Sequence, residues 1–163
     1  MTDRAPSVDE VEALARHEEA IAGLYSQFAE AFPDYLDFWN RMAKDEIDHA
    51  AWVREYRKLV EQGKSEVNRG RFRVKAIETS IRYINGYGQQ ARRNELSILN
   101  AVSLAVDIEN ALIDRKFLEI YETDDEDLKS VLNALIEATK SHRERVVSLL
   151  NDVRQSEGPA AVG

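Results

Sequence analysis

The sequence predicts an all-α protein: an antiparallel four-helix bundle with one long crossover that contains a short helix. Three observations predict it. Four segments carry apolar residues in steps of three and four, the spacing of one helix face. Short turns at Pro33 and near Asp124 each join two such segments, whereas a long connection over residues 63–91 separates the pairs. The composition is 44% hydrophobic and 32% charged with seven Gly and three Pro, the balance of a helix-rich soluble chain.

Each element has its own signal. Ser7 with Glu10 three residues later is a capping box that starts the first helix near Val8. Pro33 disfavours helix in the residue before it and ends that helix at about Phe32. The second helix runs from about Asp34 to Gly63, and "GKSEVNRGRFR" (63–73) is a polar connector. "VKAIETSIRYI" reads as a short helix stopped by the turn signal "NGYG". The third long helix spans about Arg92 to Tyr121, and "TDDED" caps a fourth over Glu126 to Arg154. A bundle domain over 8–154 and a flexible tail over 155–163 follow, and two hairpins with one long crossover are the ferritin-like connectivity.

Charge and composition narrow the function classes. A net charge of −8 disfavours nucleic acid and anionic membrane as partners. No apolar run approaches the roughly 20 residues of a membrane span. "MTDRAPSVDE" carries no signal-peptide apolar region, and there is no cysteine, which removes disulfides, thiol catalysis and iron–sulfur ligation. The expected compartment is the cytoplasm.

Polar residues interrupt each apolar seam. In the first helix Glu18 falls among Leu14, Ile21, Tyr25, Phe28 and Phe32. In the second, Glu46 and His49 fall among Trp39, Met42, Val53, Tyr56 and Val60. Glu109 interrupts Ile98, Val102, Ala105 and Leu112, while Thr139 and His142 interrupt Leu128, Leu132, Leu135, Val146, Leu149 and Val153. Buried carboxylates cost several kcal/mol unless paired or metal-bound. The interruptions also come level: Glu18 lies 15 residues before Pro33 and Glu46 13 after it, while Glu109 and Thr139 lie 15 on either side of Asp124. Metal ions between the helices account for this layout.

Glu18, Glu46-x-x-His49, Glu109 and His142 together resemble the rubrerythrin-type branch of the ferritin-like di-iron carboxylate proteins, without the cysteine-rich domain many of them carry. "EEAIAGLY" and "LAVDIENALIDRKF" resemble its first and third helices, and the likeness covers about residues 8 to 154. The resemblance implies iron held by Glu18, Glu46, His49, Glu109 and His142, with manganese or zinc as substitutes, and Tyr25 behind the ligands. It implies oxidation of ferrous iron by hydrogen peroxide or dioxygen in iron handling or oxidative-stress defence, an external electron donor, and a possible homodimer. It also exposes a departure: Thr139 stands at the second bridging glutamate, a vacant ligand position. Three carboxylates then face the four charges of two ferrous ions, so one or two ions are compatible with the chain. The alternative is a non-catalytic bundle with an eroded metal site, acting as a structural or interaction module.

Other residues have plainer expectations. His17 points about 100° from Glu18 and should be a surface or flanking residue. Glu19 and Asp48 should be solvated helix charges, and Trp39, Trp52, Tyr25, Tyr56 and Tyr121 should belong to the core. "RGRFRVK" (69–75) should be a solvated connector.

Overall fold

The computed structural model describes residues 8–61, 74–122 and 126–161, with side chains described there except at 8–10, 59–60, 117–122, 128 and 157–161. The described residues form five α-helices and no strand: α1 (Val8–Ala31), α2 (Leu36–Glu61), α3 (Val74–Arg92), α4 (Ile98–Glu122) and α5 (Glu126–Ala161). The Ser7–Glu10 capping box, the 63–73 connector, the turn at Asp124 and the side chains of Val60, Tyr121 and Leu128 lie outside the described residues. No described helix is long and apolar enough to cross a membrane.

The α1–α2 hairpin turns at Pro33, as expected. Pro33 opens a single 3-10 turn, Pro33–Tyr35, closed by the Tyr35 amide donating to the Phe32 carbonyl at 2.9 Å. Proline suits this position because its missing N–H has no intrahelical acceptor there.

The expected stop at "NGYG" is not there. α3 continues through Asn85–Gly88 to Arg92 because it lies along α1. Gly88 is buried, and a Cβ at that position would stand 3.6 Å from Gln27 Cγ and 3.9 Å from Leu24 Cδ1. Packing on a neighbouring helix outweighs the local turn preference of an Asn-Gly pair, a penalty of only about 1 kcal/mol per glycine. The stop comes at Asn94, whose φ of 57° is left-handed. The Glu95 amide donates to the Gln90 carbonyl at 2.9 Å and the Asn94 amide to Ala91 at 3.1 Å, a Schellman closure. α4 therefore begins at Ile98 rather than near Arg92. Ser97 caps it: its hydroxyl accepts the Asn100 amide at 3.0 Å while Asn100 Oδ1 accepts the Ser97 amide at 3.3 Å. At the other end, α5 passes the expected limit at Arg154 and stays helical to Ala161.

Two apolar clusters fill the interior. One joins Leu24 and Phe28 of α1, Trp39 and Met42 of α2, Ala91 of α3, Val102 of α4 and Val153 of α5. The other joins Val11 of α1, Val53 and Tyr56 of α2, Ile77 of α3 and Leu132 of α5. The shared ends set the directions: α1, α3 and α5 run one way, α2 and α4 the other. Each large apolar side chain buried in this way contributes about 1.5–3 kcal/mol. Between the clusters lies a layer of polar side chains.

Candidate metal centre

That layer is built by Glu18 of α1, Glu46 and His49 of α2, Glu109 and Lys116 of α4, and Thr139 and His142 of α5, none more than 6% exposed. Helical spacing places them. Glu46 and His49 are three apart, as are Thr139 and His142, so each pair projects from one face of its helix. All five expected ligands stand in this one layer.

Glu46 is the hub. Its Oε2 lies 3.0 Å from His49 Nδ1 and its Oε1 lies 2.8 Å from His142 Nδ1. His142 Nδ1 is also 3.7 Å from Glu109 Oε1, and the two imidazoles stack with centroids 5.0 Å apart. Glu46, His49 and His142 each offer one ligand atom within 4.8 Å of the others, close enough to hold a metal ion. Two carboxylate oxygens at this layer, Glu18 Oε2 and Glu109 Oε2, are buried without a hydrogen-bond partner. Leaving such an atom unsatisfied costs about 1–3 kcal/mol or more for a charged group. Two imidazoles, a shared carboxylate and two free buried carboxylate oxygens fit a divalent transition metal.

Further residues orient the candidate ligands. Tyr25 donates its hydroxyl proton to Glu109 Oε1 at 2.5 Å. Burial and the Glu109 charge push the Tyr25 phenol well above its ordinary range, so it remains a donor. Asp45 Oδ2 lies 3.2 Å from His142 Nε2 and accepts Arg145 Nη1 at 2.9 Å. A carboxylate at Nε2 holds the proton there and turns Nδ1 inward, the arrangement that prepares histidine as a ligand.

The layer's electrostatics follow from crowding. Burial pushes the Glu46 carboxyl up, and the neighbouring Glu18 charge pushes it further, to about 7 despite hydrogen bonds to His142 and His49. Burial also acts to raise Glu18, but the Lys116 ammonium, with help from Glu46 and His49, holds it down at about 2. For His142, burial favours the neutral ring, yet Glu109 and Glu46 outweigh it and raise the imidazole to about 10.

Thr139 is not a vacancy. Its hydroxyl donates to the Leu135 carbonyl at 2.7 Å and accepts from Lys116 Nζ at 3.2 Å. Lys116 and Asp45 are the residues that sequence reasoning missed. For Lys116 a signal existed: it follows Glu109 by seven residues, as Tyr25 follows Glu18. His17 is a correction. It is buried rather than at the surface, because α3 covers that face of α1, and its Nε2 lies 2.8 Å from Ser80 Oγ. Burial depresses its imidazole to about 4. With Arg115, Leu112, Tyr83 and Tyr87 it lines a cavity of about 250 Å³. Trp52 is a second correction: it is 44% exposed, its ring beside His49 at 5.4 Å. Asp48 pairs with Lys44 at 3.2 Å in solvent, and Glu19 pairs with Arg54.

No protein-family model, curated protein or solved structure matches the chain.

Proposed function

We propose that the chain is a ferritin-like, rubrerythrin-type bundle that binds iron at Glu46, His49 and His142, with Glu109 and Glu18 alongside, and oxidises it. The observation that carries this is the buried convergence of those three ligands beside two unpartnered carboxylate oxygens. The parallel run of α2 and α4, with α3 crossing over between them, supports the ferritin-like connectivity. Mixed imidazole and carboxylate donors suit iron, and manganese or zinc would compete for the same atoms. The bound ion would supply one-electron chemistry toward hydrogen peroxide or dioxygen. With ferrous iron as substrate, two ions each give one electron per peroxide, which takes up two protons and leaves as two waters. The chain's own contribution is orientation. Asp45 fixes the His142 ring, Tyr25 fixes Glu109, and the two apolar clusters keep bulk water from the layer.

A second interpretation has its own support. Lys116 paired with Glu18, and a protonated His142 between Glu46 and Glu109, go far toward neutralising the layer without any ion. A structural bundle would need no more. Anaerobic incubation with ferrous iron, followed by metal analysis and then peroxide, separates the two. Iron oxidation proposes itself through stoichiometric uptake, a ferric absorbance that rises on adding peroxide, and loss of both in Glu46→Gln and His142→Ala. No uptake at about millimolar iron by the folded protein leaves the structural bundle.

A further inference from the structure

Lysine is rare in a closed polar layer, because its ammonium must be paired to be there at all. Lys116 Nζ stands 3.0 Å from Glu18 Oε1 and 3.2 Å from Thr139 Oγ1, and the side chain is 8% exposed. It thus bridges the first helix to the last through two residues outside the Glu46–His49–His142 group. Thr139 takes the lysine as a hydroxyl can, through a lone pair, because its own proton is already given to Leu135.

The charges of the layer can then be followed. Glu18, Glu46 and Glu109 are the carboxylates, and Lys116 cancels one of them. The remaining two match one divalent ion. A second divalent ion would leave the layer two charges in excess inside a low-dielectric interior, where uncompensated charge costs several kcal/mol. It would also compete with the ammonium for Glu18.

We propose that Lys116 is a built-in cation standing where a second metal ion would otherwise be needed, so that the centre is mononuclear. The ion lies with Glu46, His49 and His142, while Glu18 and Thr139 serve the lysine. This rests on the metal-binding function proposed above and defines its stoichiometry. It has an unusual corollary. A glutamate introduced at Thr139 finds Lys116 beside it and pairs with the ammonium, so Thr139→Glu alone does not create a second metal position. Both changes are required: the carboxylate must be added and the resident cation removed.

Anaerobic titration with manganese(II), read by calorimetry and by metal content after desalting, tests this on the full chain. The expected result is one ion per chain for the parent, one for Thr139→Glu and two for Lys116→Gln/Thr139→Glu. Circular dichroism establishes that the double variant is folded. Anomalous diffraction from manganese-soaked parent crystals gives a readout free of mutation: one peak among Glu46, His49 and His142, and none between Glu18 and Thr139. Two ions in the parent, or a single ion in the folded double variant, overturn the role of Lys116 while leaving metal binding intact. No manganese in any form overturns the metal-binding function itself and the mononuclear centre with it.

Discussion

Tyr25 and Lys116 are counterparts across the bundle. Each follows the buried glutamate of its own helix by seven residues, two turns further along the same face. Each also reaches over to the glutamate of the other helix: Tyr25 to Glu109 at 2.5 Å, Lys116 to Glu18 at 3.0 Å. The two halves of the chain therefore share one layout with two chemical differences. A neutral hydroxyl serves one glutamate and a cation serves the other, and the cation-bearing half is the one that has threonine in place of a glutamate.

Replacing Tyr25 by Phe removes the hydroxyl donor to Glu109 Oε1 and leaves that buried oxygen only the longer 3.7 Å contact with His142 Nδ1. The expected loss is about 1–3 kcal/mol in the metal-free protein. Urea denaturation measures it, and an unchanged midpoint would place the hydrogen bond outside the stabilising set.

Lys116→Met should cost more. It leaves Glu18 as an unpaired charge in the interior, a change that typically destabilises by about 3–5 kcal/mol. Adding Glu18→Gln removes that charge and should restore most of the loss. A double-mutant cycle reads this directly: strictly additive effects would mean that the two side chains do not act as a pair.

In the metal-free protein, stability should fall as pH rises above about 6.5. His142 holds its proton to about 10 in the fold, against 6.5 as its ordinary value. The stabilisation from that proton is complete below 6.5 and is lost as pH rises toward 10. Glu46, raised to about 7 from 4.5, loses its share of stabilisation over that lower interval. His17 acts in the opposite sense: with its folded value near 4, its contribution is present above 6.5 and lost as pH falls toward 4. Thermal melts across this range should show a declining alkaline limb, and His142→Gln should flatten it.

Gly88→Ala tests the continuous α3. The position is mid-helix, and an added Cβ meets Gln27 and Leu24 at ordinary van der Waals distances of 3.6 and 3.9 Å. The substitution should stabilise by about 0.5–1 kcal/mol. Destabilisation of more than that would indicate a turn at "NGYG" in solution.

The buried polar layer was legible in the sequence because a carboxylate on an apolar seam is an anomaly that periodicity exposes. Glu18, Glu46, His49, Glu109 and His142 could all be found in that way, and antiparallel geometry brought them level. Lys116 was missed although its seven-residue offset from Glu109 matches that of Tyr25 from Glu18, because a long cationic stem at an inward position ordinarily snorkels to solvent. His17 was misplaced for a different reason: a face that is open in four helices is closed here by α3. The end of α3 was misjudged because Asn-Gly is a local signal and the contact with α1 is not. Asn94, Ser97 and Asn100 carried the true boundary, in cap chemistry that reads clearly once the helix is known to extend that far.

An interior split by a slab of titratable groups has two hearts rather than one. The cluster holding Phe28 and Trp39 and the cluster holding Val11 and Tyr56 are each continuous across several helices, and the layer between them includes three carboxylates that repel one another when deprotonated. Native-state amide exchange in the metal-free protein would then resolve two blocks that open separately, with the slab as their seam. A metal ion held by Glu46, His49 and His142 would tie α2 to α5 at that seam. Metal binding would therefore be felt far from the metal, as slowed exchange in both apolar clusters and a single sharper unfolding transition.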